Sequence, residues 1–359
     1  MKKTAKKLSF AGIDIYVGLD VHKNNWTVSI YVNDYEHKTF SQNPQPSLLV
    51  TYLNKNFPDG NYHIVYEAGY CGFWIYEKFK ACGIDCMVVH PADVPTTDKE
   101  KRQKNNRVDC RKLARSLSNG DLTPIYVPHR DALEDRCLIR SRRNLVKQQT
   151  RFKNRIKAML TRYGILVPEQ FENSRWSGQF INWLEEIEMH RPAGKMALQI
   201  DIDELKRYRS QVATADRAIR ELSKTDLYKE RVHNLLTIPG VGIITAMTLL
   251  TEIVDINRFE NSDKFAAFIG LIAGEHSSGE EDHVTHTKLT SRCNKYLRSM
   301  LIESAWVAAR KDPALMLYYH NAIKRMKASK AIIRVTRKLL NRIRFVLKNN
   351  KEYVPAVIK

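Results

Sequence analysis

Runs rich in Val, Ile and Tyr, residues that suit a half-buried pleated surface, are confined to the first third of the chain. They cover residues 14–20, 26–32, 62–67 and 85–90. The turn Val32-Asn33-Asp34 fits a hairpin between the second run and the stretch at 36–41. Helical patterns follow: Trp74, Ile75 and Phe79, then 107–118 with Val108, Leu113 and Leu117. The order β-β-β-α-β-α, with a hairpin first, predicts an α/β layer on a mixed sheet over residues 1–128.

Carboxylates close several of these elements. Asp20 ends Ile15-Tyr16-Val17-Gly18-Leu19-Asp20, Glu67 ends His63-Ile64-Val65-Tyr66-Glu67, and Asp109 sits in Lys104-Asn105-Asn106-Arg107-Val108-Asp109. A single Asp at a strand end is ordinarily a turn residue, and one near a helix start complements the dipole. Glu67 fits neither role, because an unpaired carboxylate at the end of an apolar run is costly. Together in an α/β frame the three point to a site for a hard divalent cation, which needs several anionic oxygens at one point. Three residues before Asp109, where one helical turn would bring a fourth carboxylate alongside, stands Asn106.

From 129 to 227 the strand signals are gone. Leu138, Leu145, Phe152 and Met159 recur every seven residues, with Ile156 and Tyr163 on the alternate stripe. That predicts a long amphipathic helix of coiled-coil character, ended by Gly164 and Pro168. A second helix over 199–225, with Leu205, Val212, Ile219 and Leu222, suggests a folded-back pair. Residues 228–359 read as all helical, and Thr237-Ile238-Pro239-Gly240-Val241-Gly242-Ile243 looks like the turn of a helix-hairpin-helix.

The charge balance supplies the partner. There are 59 Lys+Arg against 39 Asp+Glu, a net +20, which implies a polyanion and foremost nucleic acid. Over 99–165 the ratio is 19 to 6, too one-sided for a merely solvated face, so Arg140, Arg142, Arg143, Lys147, Arg151 and Arg155 are expected on a phosphate backbone. Gly240 and Gly242 either expose backbone N–H groups to a phosphate or make a tight turn between packed helices. In His276-Ser277-Ser278-Gly279 the Ser-Ser-Gly is an ordinary turn by itself, and nothing within that tripeptide supplies a base to activate a serine. Lys288, Arg292 and Arg298 downstream would neutralise an attacked phosphate. Arg337 and Arg342 lie in a basic C-terminal segment whose single acid is Glu352. The six cysteines have no zinc-type spacing and read as reduced structural thiols. No apolar run approaches the roughly 18–20 residues of a spanning helix, and Met1–Lys7 has charge without an apolar segment after it, so the expected location is cytoplasmic, away from membranes.

The order of these motifs carries a resemblance. Gly18-Leu19-Asp20-Val21-His22-Lys23, then Tyr66-Glu67-Ala68, then the segment from Lys104 to Ala114, resembles the RuvC-like catalytic domain of the DEDD insertion-sequence transposases, a family that includes the Piv-type DNA invertases. Ile238-Pro239-Gly240-Val241-Gly242, Phe265 to Leu271, Ser277-Ser278-Gly279 and Lys295-Tyr296-Leu297-Arg298 look like its transposase domain. The resemblance implies an RNase H/RuvC-like α/β domain over 1–128, a basic coiled-coil helical domain over 129–227, and an all-α transposase domain over 228–359. It places the family's four acidic residues at Asp20, Glu67, Asn106 and Asp109, around Mg²⁺ or Mn²⁺, and its nucleophilic serine at Ser278. It further implies a recombinase guided by a bridge RNA, acting on donor and target double-stranded DNA through a covalent phosphoserine linkage. The protein would be a homo-oligomer, dimer or tetramer, with the RuvC-like domain of one subunit completing the serine site of another. Asn106 departs from the family pattern, since an amide oxygen brings no negative charge. Two other expectations therefore stand beside the recombinase: a metal-dependent junction resolvase or nuclease with water as nucleophile, and a catalytically weakened nucleic-acid-binding scaffold.

Overall fold

The computed structural model describes residues 9–33, 35–98, 105–172, 176–276 and 285–355, with backbone alone for 172, 274–276 and 285–288. The chain divides into two compact units, Met1–Val127 and Pro128–Lys359.

The first unit runs β1 (Asp14–Val21), β2 (Trp26–Val32), β3 (Tyr35–Gln42), α1 (Pro46–Asn56), β4 (Asn61–Glu67), α2 (Trp74–Ala81), β5 (Asp85–Val89) and α3 (Asn106–Ser118). The four predicted runs are strands, and the stretch at 36–41 is β3. Asn33 turns the hairpin at φ 52°, a left-handed conformation that Asn tolerates better than most residues. The five strands lie in the order β3-β2-β1-β4-β5. The β1/β2 and β2/β3 pairs are antiparallel, and β1/β4 and β4/β5 are parallel. This mixed sheet is consistent with the RNase H/RuvC-like expectation.

Strand alternation gives the sheet two buried faces. On one, Ile15, Val17 and Leu19 of β1 and Trp26, Val28 and Ile30 of β2 pack with Leu49 and Leu53 of α1 and Ile75 and Phe79 of α2. On the other, Val65 and Val89 pack with Leu113 of α3 and with Leu122. Gly18 faces α3. A Cβ there would stand 2.1 Å from the Cys110 carbonyl oxygen and 2.6 Å from the Ala114 nitrogen. Helix α3 thus rests backbone to backbone on β1, an approach that only glycine permits.

The second unit is mostly helical. Its long pair is α4 (Arg130–Arg162) and, after the single turn α5 (Glu169–Glu172) and α6 (Gly178–Glu186), α7 (Pro192–Ser223). The pair is antiparallel: contacts step from Arg142–Asp216 through the stacked Phe152–Tyr208 rings to Arg155–Asp201. At 33 residues, α4 is about 50 Å long. The expected seam is displaced. Ile139, Ile156 and Leu160 are fully buried, whereas Leu138, Leu145, Phe152 and Met159 flank the seam half-buried. Tyr163, expected on the seam, is 57% exposed because the helix ends before it, at Arg162.

The remaining helices are α8 (Lys229–Leu236), α9 (Ile243–Ile253), α10 (Ser262–Ile269), α11 (Lys295–Lys311), α12 (Pro313–Ile323) and α13 (Ala328–Asn349). Leu235, Met247, Phe265, Leu301 and Val335 share one core with Ile139 of α4 and Ile219 of α7. One element departs from the all-helical expectation. Ala273–His276 (β6) and Thr285–Leu289 (β7) pair antiparallel into a two-stranded arm between α10 and α11. The runs are four and five residues long and polar, too short for a period-two apolar signal.

Candidate active site

Leu19 pairs in parallel register with Tyr66, so Asp20 and Glu67, one step on, emerge at neighbouring strand ends. Asp20 shares the face of Gly18 two residues earlier and therefore looks toward α3. That helix begins where it must to join them. Asn105 caps it, its Oδ1 accepting from the Arg107 N–H at 3.0 Å, and the first turn then presents Asn106 and Asp109 at i, i+3 spacing. Asp20, Glu67, Asn106 and Asp109, with His22 and Tyr70, line one cleft of about 220 Å³.

The loops holding the two strand ends are tied to each other. The Tyr70 hydroxyl accepts from the Lys23 N–H at 2.9 Å, and the Cys71 thiol donates to the Val21 carbonyl at 3.6 Å. The segment after Glu67 is thereby clamped to the turn after Asp20. The thiol of Cys110, under the cleft, is pushed up to about 12 by burial and then by the Asp20 charge, which makes it a neutral packing group.

Two of the cleft acids meet a residue that sequence reasoning passed over. Lys112, only 7% exposed, places its Nζ 3.4 Å from Asp109 Oδ1 and 3.8 Å from Glu67 Oε1. His22 Nε2 lies 3.3 Å from Asp20 Oδ2. The signal for Lys112 was present, since it stands three residues after Asp109 on the same helix. Three carboxylates and an amide are the oxygen donors a hard divalent cation takes, so the donor set fits one in kind. Two of the acids, Glu67 and Asp109, nonetheless flank the ammonium. Among the described residues, no three His, Cys, Asp or Glu side chains converge tightly enough to hold an ion.

Ser278, with Ser277 and Gly279, falls outside the described residues, as does the Lys288 side chain. The bases of the arm that leads to them are well tied. Arg298 Nη1 donates to the Gly270 carbonyl at 3.2 Å, before β6, and to the Thr290 carbonyl at 2.8 Å, after β7. Arg298, expected on phosphate, is thus engaged by the protein's own backbone. Arg292 is exposed and has a partner within the chain.

Other expected nucleic-acid contacts are held internally too. Arg140 makes a bidentate pair with Glu252, Nε at 2.7 Å and Nη2 at 2.8 Å, and Glu252 is 3% exposed. Arg142 pairs with Asp216, Arg155 with the buried Asp201, and Arg143 lies 4.1 Å over the Tyr296 ring. Lys147 and Arg151 are exposed on the rod. Arg337 pairs with Asp263, and Arg342 donates to the Tyr353 hydroxyl at 2.9 Å, 3.4 Å from the fully buried Asp312. Gly240 makes a close approach between packed helices, the second of its two expected roles. At φ +90° its Cβ position would be 2.3 Å from the Ser304 carbonyl of α11. Gly242, which opens α9, has open space beside it.

Known proteins share this arrangement of segments. A family model for DEDD transposases of the IS110 type matches residues 17–165, and one described as "Transposase IS116/IS110/IS902 family" matches residues 232–320. Together they cover about two thirds of the chain. A putative transposase (y4qE) of Sinorhizobium fredii is 30% identical over 244 residues, 68% of this chain and 58% of that protein. A second from the same organism (y4rJ) is 27% identical over 77% of this chain and 74% of its own. The transposase for insertion sequence element IS1533 of Leptospira borgpetersenii is 26% identical over 69% of this chain and 72% of its own.

Proposed function

We propose, from the premise that the chain belongs to the IS116/IS110/IS902 family of DEDD transposases, that it cleaves and rejoins donor and target DNA under the guidance of a structured RNA. One observation carries the catalytic part of this reading. Three segments far apart in sequence deliver Asp20, Glu67, Asn106 and Asp109 to a single cleft.

In this reading Asp20, Glu67 and Asp109 hold Mg²⁺ or Mn²⁺, and Asn106 adds an amide oxygen. When bound, the ion supplies charge neutralisation of the scissile phosphate and eases deprotonation of the attacking hydroxyl. Ser278 is the nucleophile. Its Oγ–P bond forms as one P–O bond to a sugar breaks, the serine gives up its proton, and the departing sugar oxygen takes one up. Rejoining reverses these changes with a different DNA end. The exposed Lys147 and Arg151 contribute backbone contacts to nucleic acid, while base pairing by the RNA supplies sequence choice. An oligomer, dimer or tetramer, brings the cleft of one subunit to the serine of another.

The test is to trap a protein–DNA adduct with the full-length chain, its co-purified RNA and Mg²⁺. The adduct is expected to disappear in Ser278→Ala and in Asp20→Asn. Free DNA ends with no adduct would instead establish the water-using nuclease. RNA binding without any cleavage would establish the scaffold.

A further inference from the structure

We infer that Tyr70 is a stacking platform for an unpaired DNA base, next to the phosphate that enters the acidic cleft. This rests on the reading above that a DNA strand is cut at the cleft, and it adds a residue that touches the substrate. Tyr70 lines the cleft together with Asp20, Glu67, Asn106 and Asp109, yet it is 74% exposed. Among the described residues, no other ring and no cation packs on it. A single exposed ring is commonplace. What sets this one apart is how it is held.

The Gly72 N–H donates to the Gly69 carbonyl at 3.1 Å, which makes Tyr70 and Cys71 the corner of a tight turn. The buried Tyr66 hydroxyl donates to the Gly72 carbonyl at 3.1 Å, and the Cys71 thiol donates to the Val21 carbonyl. The Tyr70 hydroxyl accepts from the Lys23 N–H, so the phenol itself bridges the turn after β1 to the turn after β4. A ring at a turn corner ordinarily samples several rotamers. Here its tip and its backbone are both fixed, and little ordering is left for a ligand to impose.

The size of the cleft decides what meets the ring. At about 220 Å³ it is smaller than the roughly 300–1,000 Å³ of a site that engulfs a drug-sized ligand. Such a cleft admits a phosphate and leaves the attached base at its mouth, where Tyr70 stands. Stacking on an aromatic ring accepts any base, since each has a π-face, and so it leaves sequence choice to a guide. Inside a duplex the neighbours cover both faces of a base. The partner is therefore a base freed by strand separation.

The test uses the full-length chain with its co-purified RNA and a short single-stranded DNA carrying 5-iododeoxyuridine. Binding is measured with CaCl₂ at raised salt, where backbone contacts weaken. Irradiation should join the label to Tyr70, as located by mass spectrometry of the digested protein. Tyr70→Ala should bind the DNA about tenfold more weakly, whereas Tyr70→Phe and Tyr70→Trp should bind as the wild type does. Tyr70→Leu should be as weak as Tyr70→Ala, and it carries the comparison if the alanine variant does not fold. Wild-type binding by Tyr70→Leu overturns the inference, because the contact is then general apolar packing. So does a Tyr70→Phe variant as weak as Tyr70→Leu, which would make the hydroxyl tie the feature that matters. A photo-adduct on Trp74 or elsewhere, with Tyr70 unmarked, also overturns it, as does an adduct at Tyr70 from labelled RNA and none from labelled DNA. If Asp20→Asn abolishes a CaCl₂-dependent gain in binding while Tyr70→Leu changes nothing, the metal reading survives and this inference falls. If CaCl₂ changes nothing while Tyr70→Leu still weakens binding, the metal reading falls and the stacking role stands.

Discussion

The two units handle buried acids in opposite ways. In the helical unit, Glu252, Asp201 and Asp312 are 3%, 2% and 0% exposed. Each is saturated. Glu252 takes the Arg140 fork and the Asn294 side-chain amide, Asp201 takes Arg155, and Asp312 takes the Tyr353 hydroxyl with Arg342 nearby. In the sheet unit, Asp20, Glu67 and Asp109 are 22%, 32% and 27% exposed, open to a cleft, and two of them share one lysine. Acids that are sealed among internal partners hold helices together. Acids that stand partly exposed around a cleft are placed to meet a ligand there.

This contrast can be broken by substitution. Asp20→Asn should reduce Mg²⁺-dependent DNA cleavage at least about 100-fold, given that loss of outer-shell partners alone costs 10–100-fold. Its melting temperature without metal should change little, because the carboxyl is partly exposed and its described partner, His22, is half exposed. A large drop in stability would place Asp20 with the sealed acids. Glu252→Ala should behave in the reverse manner, costing about 2 kcal/mol in urea denaturation by removing the acceptor of the Asn294 side chain and of the half-exposed Arg140. A loss below about 1 kcal/mol would put it in the range of a surface pair.

Gly18→Ala tests the platform beneath the cleft. A Cβ at 2.1 Å from the Cys110 carbonyl forces α3 away from β1, with an expected cost of about 2 kcal/mol and loss of cleavage. The smallest effect is at the opposite end of the strands. There His63 bridges Asp14 at 3.2 Å and Asp85 at 3.3 Å, across three strands. Lys80 holds the Asp85 carboxyl below its ordinary value, and Asn61 does the same for Asp14. A carboxyl depressed in the folded state stabilises above its unfolded pKa, near 3.9, and that contribution is lost as pH falls through the folded value. The urea midpoint should therefore decline below about pH 4, and Asp85→Asn should flatten that decline slightly.

The sheet and the cleft were legible because their signals are local. Val- and Ile-rich runs mark the strands, Asp20 and Glu67 sit at the ends of their runs, and Asn106 and Asp109 are one helical turn apart. The arginine partners were not legible, since Arg140 and Glu252 lie 112 residues apart and Arg155 and Asp201 lie 46 apart. A basic stripe read without its distant acids overstates the charge available to a nucleic acid. The packing partner of Gly240 was hidden for a related reason, as only the fold brings α11 against it. The arm formed by β6 and β7 was missed because so short a polar hairpin has no periodicity to read.

The backbone contact at Gly18 has a mechanical consequence. Asn106, Asp109 and Lys112 stand at successive turns of one helix, so their mutual spacing is set by helical rise and not by loops that relax separately. With α3 seated on β1 at a point beside them, the strand is a fulcrum and the helix a lever. Whatever draws Asp109 toward Asp20 also swings the amide and the ammonium through fixed arcs. The three groups answer a ligand as a single rigid comb, and the cleft is tuned by one angle.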